Sequence, residues 1–121
     1  MSSKKTLVLG ASLNPARYSN IVIHRLCAHS LEVNAFGLRT GEICGIKIDT
    51  ELQPYDAIHT VTLYLNPKRQ QAYYEYIIGL NPARVIFNPG TENPEFYKRL
   101  ELASINFEVA CTLVLLSTNQ Y

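Results

Sequence analysis

The feature that most constrains this chain is its opening, Thr6-Leu7-Val8-Leu9-Gly10, an unbroken apolar run that stops at a glycine. A strand with one solvated face alternates apolar and polar residues, whereas a run without alternation suits a strand buried on both faces, as in a parallel sheet. The turn formers Ser12, Asn14 and Pro15 follow within residues 11–17, and residues 18–30 then carry Ile21, Val22, Leu26 and Cys27 at helical spacing. Strand, tight turn and helix in that order open a βαβ unit, whose return strand runs parallel to the first and whose helix covers the sheet.

The rest of the chain keeps up the alternation. Residues 32–36 predict a second strand, residues 37–45, with three glycines in nine positions, predict a loop, and Ile46-Lys47-Ile48 predicts a brief edge strand. A stronger strand is expected over 57–65. Pro67 stands at the first position of a helix continuing through 68–79, with Ala72, Tyr73, Tyr76, Ile77 and Leu80 on one stripe. Residues 84–87 read as a buried strand, 88–93 as a turn, 94–103 as a helix with Asn93 as N-cap, and 107–110 as a strand. The run 111–116 has the length and position of a terminal helix, while its Thr, Val and Leu equally suit an extension of the strand. Together these elements imply an α/β fold, a doubly wound, mostly parallel sheet of five to six strands with helices on both faces, Rossmann-like. At 121 residues, one domain spanning 1–121 is expected.

Charge narrows the partners. A net charge of +1 offers no broad field for nucleic acid or an anionic membrane, so any anionic ligand must be held locally. The apolar run at residues 7–9 is too short for a signal peptide or a membrane span. Cys27, Cys44 and Cys111 form an odd set without CxxC spacing, which points to reduced thiols rather than a disulfide framework or a zinc site. A cytoplasmic protein is expected.

In doubly wound sheets ligands lie beyond the carboxyl ends of the strands, which selects the loops 10–19, 36–42, 64–67, 88–93 and the start of the Cys111 segment. The first loop enters a helix N-terminus, where free N–H groups and the helix dipole favour an anion, and Arg17 and Ser19 add a cation and a hydroxyl. The plain structural alternative is a turn at Gly10, a solvated Arg17 and Ser19 as an N-cap. Only the first glycine of a dinucleotide GxGxxG fingerprint is present in residues 10–15, and Phe36-Gly37-Leu38-Arg39 lacks the acid that would bond a ribose diol. Arg39 suits instead a ribose carrying a phosphate, as in coenzyme A and, less favourably, NADP. The 88–93 loop concentrates polar groups at a strand's carboxyl end, with Gly90 available for a positive φ.

Catalytic groups do not converge. His24 and His29 fall on the first helix and His59 within a strand, no metal set is present, and no catalytic residue is assigned. Cys111, at a helix start after a strand, is the best candidate thiol, although a buried structural role is commoner for such a cysteine. Tyr73, Tyr74 and Tyr76 crowd one helix, which suits core positions for some and a face for a homodimer or a partner protein for others.

Gly10-Ala11-Ser12, Pro15-Ala16-Arg17-Tyr18-Ser19, Tyr64-Leu65-Asn66-Pro67, the segment from Ile86 through Asn88, Gly90 and Glu92 to Phe96, and Cys111-Thr112-Leu113-Val114 together resemble the small stand-alone CoA-binding-domain proteins. That family is similar to the CoA-binding domain of the succinyl-CoA synthetase α subunit. The resemblance implies a module that binds coenzyme A or an acyl-CoA, non-catalytic or regulatory, and no ligase activity is expected to carry over. It assigns Gly10, Ala11, Ser12, Arg17 and Ser19 to a phosphate-binding turn and Phe36, Leu38 and Arg39 to the loop near the adenosine. Tyr64, Asn66 and Pro67 fall in the loop after the fourth strand, Asn88, Gly90 and Glu92 in the pocket's inner loop, and Cys111 at the family's cysteine before the last helix. The alternatives are a small NADP- or CoA-dependent enzyme using Cys111 as a reactive thiol, and a partner-binding regulatory subunit.

Overall fold

A computed structural model describes residues 4–121. Seven strands form one sheet: β1 (Thr6–Ala11), β2 (Val33–Gly37), β3 (Gly41–Ile43), β4 (Ile46–Asp49), β5 (Thr60–Leu63), β6 (Arg84–Phe87) and β7 (Asn106–Val109). Their order is β3-β4-β2-β1-β5-β6-β7, every neighbouring pair being parallel except β3 and β4. Without β3 this is the strand order of doubly wound nucleotide-binding sheets, and it reverses direction between β1 and β5. The α/β, Rossmann-like architecture expected from the alternation is therefore the one observed.

The helices are α1 (Tyr18–Ala28), α2 (Pro67–Gln70), α3 (Tyr74–Leu80), α4 (Pro94–Leu102) and α5 (Thr112–Ser117), with a 3₁₀ turn at Gln71–Tyr73 between α2 and α3. Alternate residues of the central strands feed two cores. Leu7, Leu9, Val61, Leu63, Val85 and Phe87 meet Tyr74, Ile77, Phe96 and Leu100 of α3 and α4 on one face. Val8, Ala35 and Ile48 meet Val22, Ile23 and Leu26 of α1 and Leu116 of α5 on the other. Burial on both faces explains why Leu7, Val8 and Leu9 are all fully buried and why β1 shows no polar alternation.

Four expectations are corrected. The segment 37–45 is not only loop, because Gly41–Ile43 pairs antiparallel with β4. It is β3, not β4, that takes the sheet edge, and Ile48 is fully buried. The helix after Pro67 is broken by the 3₁₀ turn, which rotates its phase: Tyr74 and Ile77 are buried and Ala72 is exposed, so the stripe read from the sequence is displaced. The strand expected over 57–65 is confined to Thr60–Leu63, with Ala57 at φ 56° and His59 just ahead of the strand. The run after Cys111 is a helix.

The α5 face also buries polar groups, because a six-residue helix covers only part of it. Arg84 donates from Nε to Thr60 Oγ1 at 2.9 Å, pairs with Glu108 at 3.0 Å and stacks on the Tyr121 ring. His59 Nδ1 lies 2.7 Å from Thr60 Oγ1, which can give its own proton to the ring nitrogen when the imidazole is neutral. Burial, then Arg84 and Lys4, lower the His59 pKa. The unfolded chain therefore binds this proton more readily, so the contribution is full above the ordinary imidazole range and is lost as pH falls through the folded value. Unfolding midpoints measured from about pH 7.5 down to about pH 5 should fall, and His59→Asn, which keeps an acceptor without a titration, should flatten that limb.

Candidate functional site

The carboxyl ends of β1, β2 and β5 meet at the point of reversal, and two glycines allow the approach. Gly10 has φ +101° at an irregularity in the β1–β2 register, and a Cβ there would lie 3.0 Å from the carbonyl carbon of Tyr64. At Gly37 a Cβ would lie 2.3 Å from the carbonyl oxygen of Ala11. Above these glycines opens a cleft of about 830 Å³, within the range of small-molecule sites.

The loop from β1 into α1 is held by its own side chains. Ser12 Oγ accepts from Asn14 N at 3.1 Å, Asn14 Oδ1 from Ala16 N at 2.9 Å, and Asn20 Nδ2 donates to Ser12 O at 2.9 Å. Arg17 occupies the N-cap of α1 in extended conformation and provides no side-chain cap. The N–H groups of Tyr18 and Ser19 consequently take no partner among the described residues. Neighbouring helix starts differ: Asn66 Oδ1 accepts from Arg69 N, Asn93 Oδ1 from Phe96 N and Asn88 Oδ1 from Thr112 N. Uncapped α1 opens onto the cleft, and so does α2, which Asn66 caps.

Eleven of the residues expected at the site line the cleft: Gly10, Ala11 and Ser12; Arg17 and Ser19; Phe36, Leu38 and Arg39; Tyr64 and Asn66; and Gly90. Pro67, Asn88 and Glu92 do not. Pro67 begins α2. Asn88, 2% exposed, donates from Nδ2 to Thr62 Oγ1 at 2.7 Å and Leu63 O at 2.9 Å while capping α5. The Glu92 carboxylate turns back to accept from Gly90 N at 2.9 Å.

Sequence reading missed Arg69, Tyr73, Leu13, Tyr18 and Thr91, all of which line the cleft. Arg69 was discoverable, since it sits in the first turn of the helix that starts at the carboxyl edge. Tyr73 was not, because the 3₁₀ turn places it against Phe36, ring centroids 5.5 Å apart and edge to face. Leu13, Tyr18 and Leu38 are 45%, 69% and 71% exposed and form an apolar rim to the cleft.

Electrostatically the cleft is one-signed. Arg17, Arg39 and Arg69 are exposed on its wall, none has a carboxylate partner among the described residues, and the lining holds no Asp, Glu, His or Cys. Burial raises the Tyr64 pKa, with hydrogen bonds to Thr62 and Thr112 pulling the other way, so its hydroxyl stays neutral. Cys111 is half-buried at the N-cap of α5, outside the lining, and the following N–H, of Thr112, is already given to Asn88. Among the described residues no cluster of three or more His, Cys, Asp or Glu is placed to hold a metal ion.

The chain matches the CoA binding domain family over residues 4–117. It belongs to that family. This CoA-binding domain is also similar to solved structures. One, the crystal structure of an uncharacterized protein, shares 42% identity with a TM-score of 0.96 and full coverage of both chains. A hypothetical protein from Pyrococcus horikoshii OT3 shares 29% identity at a TM-score of 0.85, covering 96% of this chain and 83% of that one. A protein from Thermus thermophilus, at 23% identity and a TM-score of 0.86 over 98% and 91% of the two chains, shares the fold. A search of curated proteins finds no match. No helix among the described residues of this CoA-binding domain is long and apolar enough to cross a membrane.

Proposed function

We propose that this CoA-binding domain binds coenzyme A or an acyl-CoA in the cleft above Gly10 and Gly37, as a non-catalytic or regulatory module. The observation that carries this is the convergence of three unpaired guanidinium groups and one uncapped helix N-terminus on a single cleft without a carboxylate. Coenzyme A has two separate anionic groups, a diphosphate and a ribose phosphate, and needs more than one cationic anchor. The free N–H groups of Tyr18 and Ser19, with Arg17, suit the diphosphate. Arg39, beyond β2, suits the ribose phosphate, and the apolar rim of Leu13, Tyr18 and Leu38 suits the adenosine. A lining without His, Cys, Asp or Glu supports binding rather than catalysis.

Calorimetric titration with CoA, acetyl-CoA, dephospho-CoA, NADP and ATP tests the reading. CoA and acetyl-CoA should bind most tightly, dephospho-CoA should lose the Arg39 contribution, and no heat from either CoA species at millimolar concentration would refute the proposal. Arg17→Ala should weaken CoA binding by about 1.5–3 kcal/mol, the range for a charge-assisted bond. Unchanged affinity would remove Arg17 from the site.

A further inference from the structure

Two of the three cysteines are carried by elements that pack on each other. Cys27 is half-buried in the last turn of α1. Cys44 is exposed in the two-residue turn joining β3 to β4, where Cys44 and Gly45 both have positive φ, 54° and 78°, between the paired Ile43 and Ile46. Ile43 is 4% exposed and joins the core of Val22, Ile23 and Leu26, against which Ile46 and Cys27 also pack. That apolar packing brings the β3–β4 hairpin against α1, and the Cys44 side chain is near enough to help raise the Cys27 pKa. Among the described residues no further ligand completes a metal site around them.

We propose that Cys27 and Cys44 form a dithiol site that closes reversibly to an intramolecular disulfide when the protein meets a small-molecule disulfide of the glutathione class. Exposure fixes the order of events. The Cys44 thiolate attacks one sulfur of the small disulfide, forms a mixed disulfide and releases one glutathione thiolate. The Cys27 thiolate then attacks Cys44 Sγ and expels the second glutathione. The protein loses two protons and two electrons, and one disulfide is reduced to two thiols. Burial, and then the neighbouring Cys44, push the Cys27 thiol up to about 11, so closure is slower than the first attack and quickens with rising pH. Closure joins α1 covalently to the β3–β4 hairpin. At the far end of that hairpin a Cβ on Gly41 would lie 2.6 Å from the Leu13 side chain, so the locked element also backs the loop that lines the cleft.

The test is incubation of the full folded chain with glutathione disulfide, followed by acid quench, denaturing alkylation and peptide mapping. Alkylatable thiols should fall from three to one, with Cys111 the survivor, a peptide linking Cys27 to Cys44, and recovery of all three on adding dithiothreitol. Cys27→Ser should instead accumulate a lasting glutathione adduct at Cys44. A lasting adduct on the unaltered protein, a disulfide that includes Cys111, or three thiols still alkylatable would each overturn the proposal.

Discussion

Gly37→Ala is expected to destabilise the protein by about 3 kcal/mol, the upper part of the range for overpacking, and to lower the thermal midpoint by about 10 °C. The added methyl would sit 2.3 Å from the Ala11 carbonyl oxygen and 3.2 Å from Ile48 Cγ2. A clash with a side chain can be relieved by a rotamer, but one with backbone can be relieved only by moving a strand. Here β2 must part from β1 at the Ala11–Gly37 pair, where the cleft begins. Gly79→Ala is the control: nothing lies within 4 Å of its added Cβ, and in helix α3 alanine should stabilise by about 0.5–1 kcal/mol. Denaturant titration of both variants decides the matter. An unchanged midpoint for Gly37→Ala would mean that the strand ends separate at little cost.

Asn88→Ala should cost about 3–5 kcal/mol, enough to leave a small domain marginal. One amide ties the end of β6 to two elements: its Nδ2 bonds Thr62 and Leu63 of β5, and its Oδ1 caps α5 at Thr112 N, 2.9 Å away. The side chain is buried, so truncation strands the Leu63 carbonyl and the Thr112 N–H in a site where water does not replace the lost partner. Asn88→Asp should be similarly harmful, because a carboxylate cannot donate to the Leu63 carbonyl. Thermal unfolding with and without CoA separates a stability effect from a binding effect. Since Asn88 lies outside the cleft lining, the folded fraction of the variant should keep its affinity.

The two positions differ in how far sequence reading could take them. Gly37 was visible as a glycine at a strand end, and the loop after β2 was placed at the cleft from strand order alone. Its closeness to Ala11 was not visible, because contact between adjacent strands depends on a register that neither strand encodes by itself. Asn88 was visible as a polar residue at the carboxyl end of a buried strand, where ligand-binding groups gather. That its amide is consumed by β5 and α5 depends on helix α5 landing beside it. The same dependence hid Tyr73, whose position follows from the 3₁₀ turn.

The alternation of apolar runs and helical stripes was set by the chain itself, since hydrophobic period, turn residues and helix caps act over a few neighbours. From it followed the α/β class, the exact strand Arg84–Phe87, the Asn93 cap and the loops that line the cleft. Only the tertiary structure decided that Gly41–Ile43 pairs as a seventh strand, that three arginines from separate elements share one cleft, and that the hairpin carrying Cys44 packs against the helix carrying Cys27. The physical reason is common to all three. Each depends on which surfaces meet when the sheet closes, and that is settled by burial summed over the whole core rather than by any local stretch of residues.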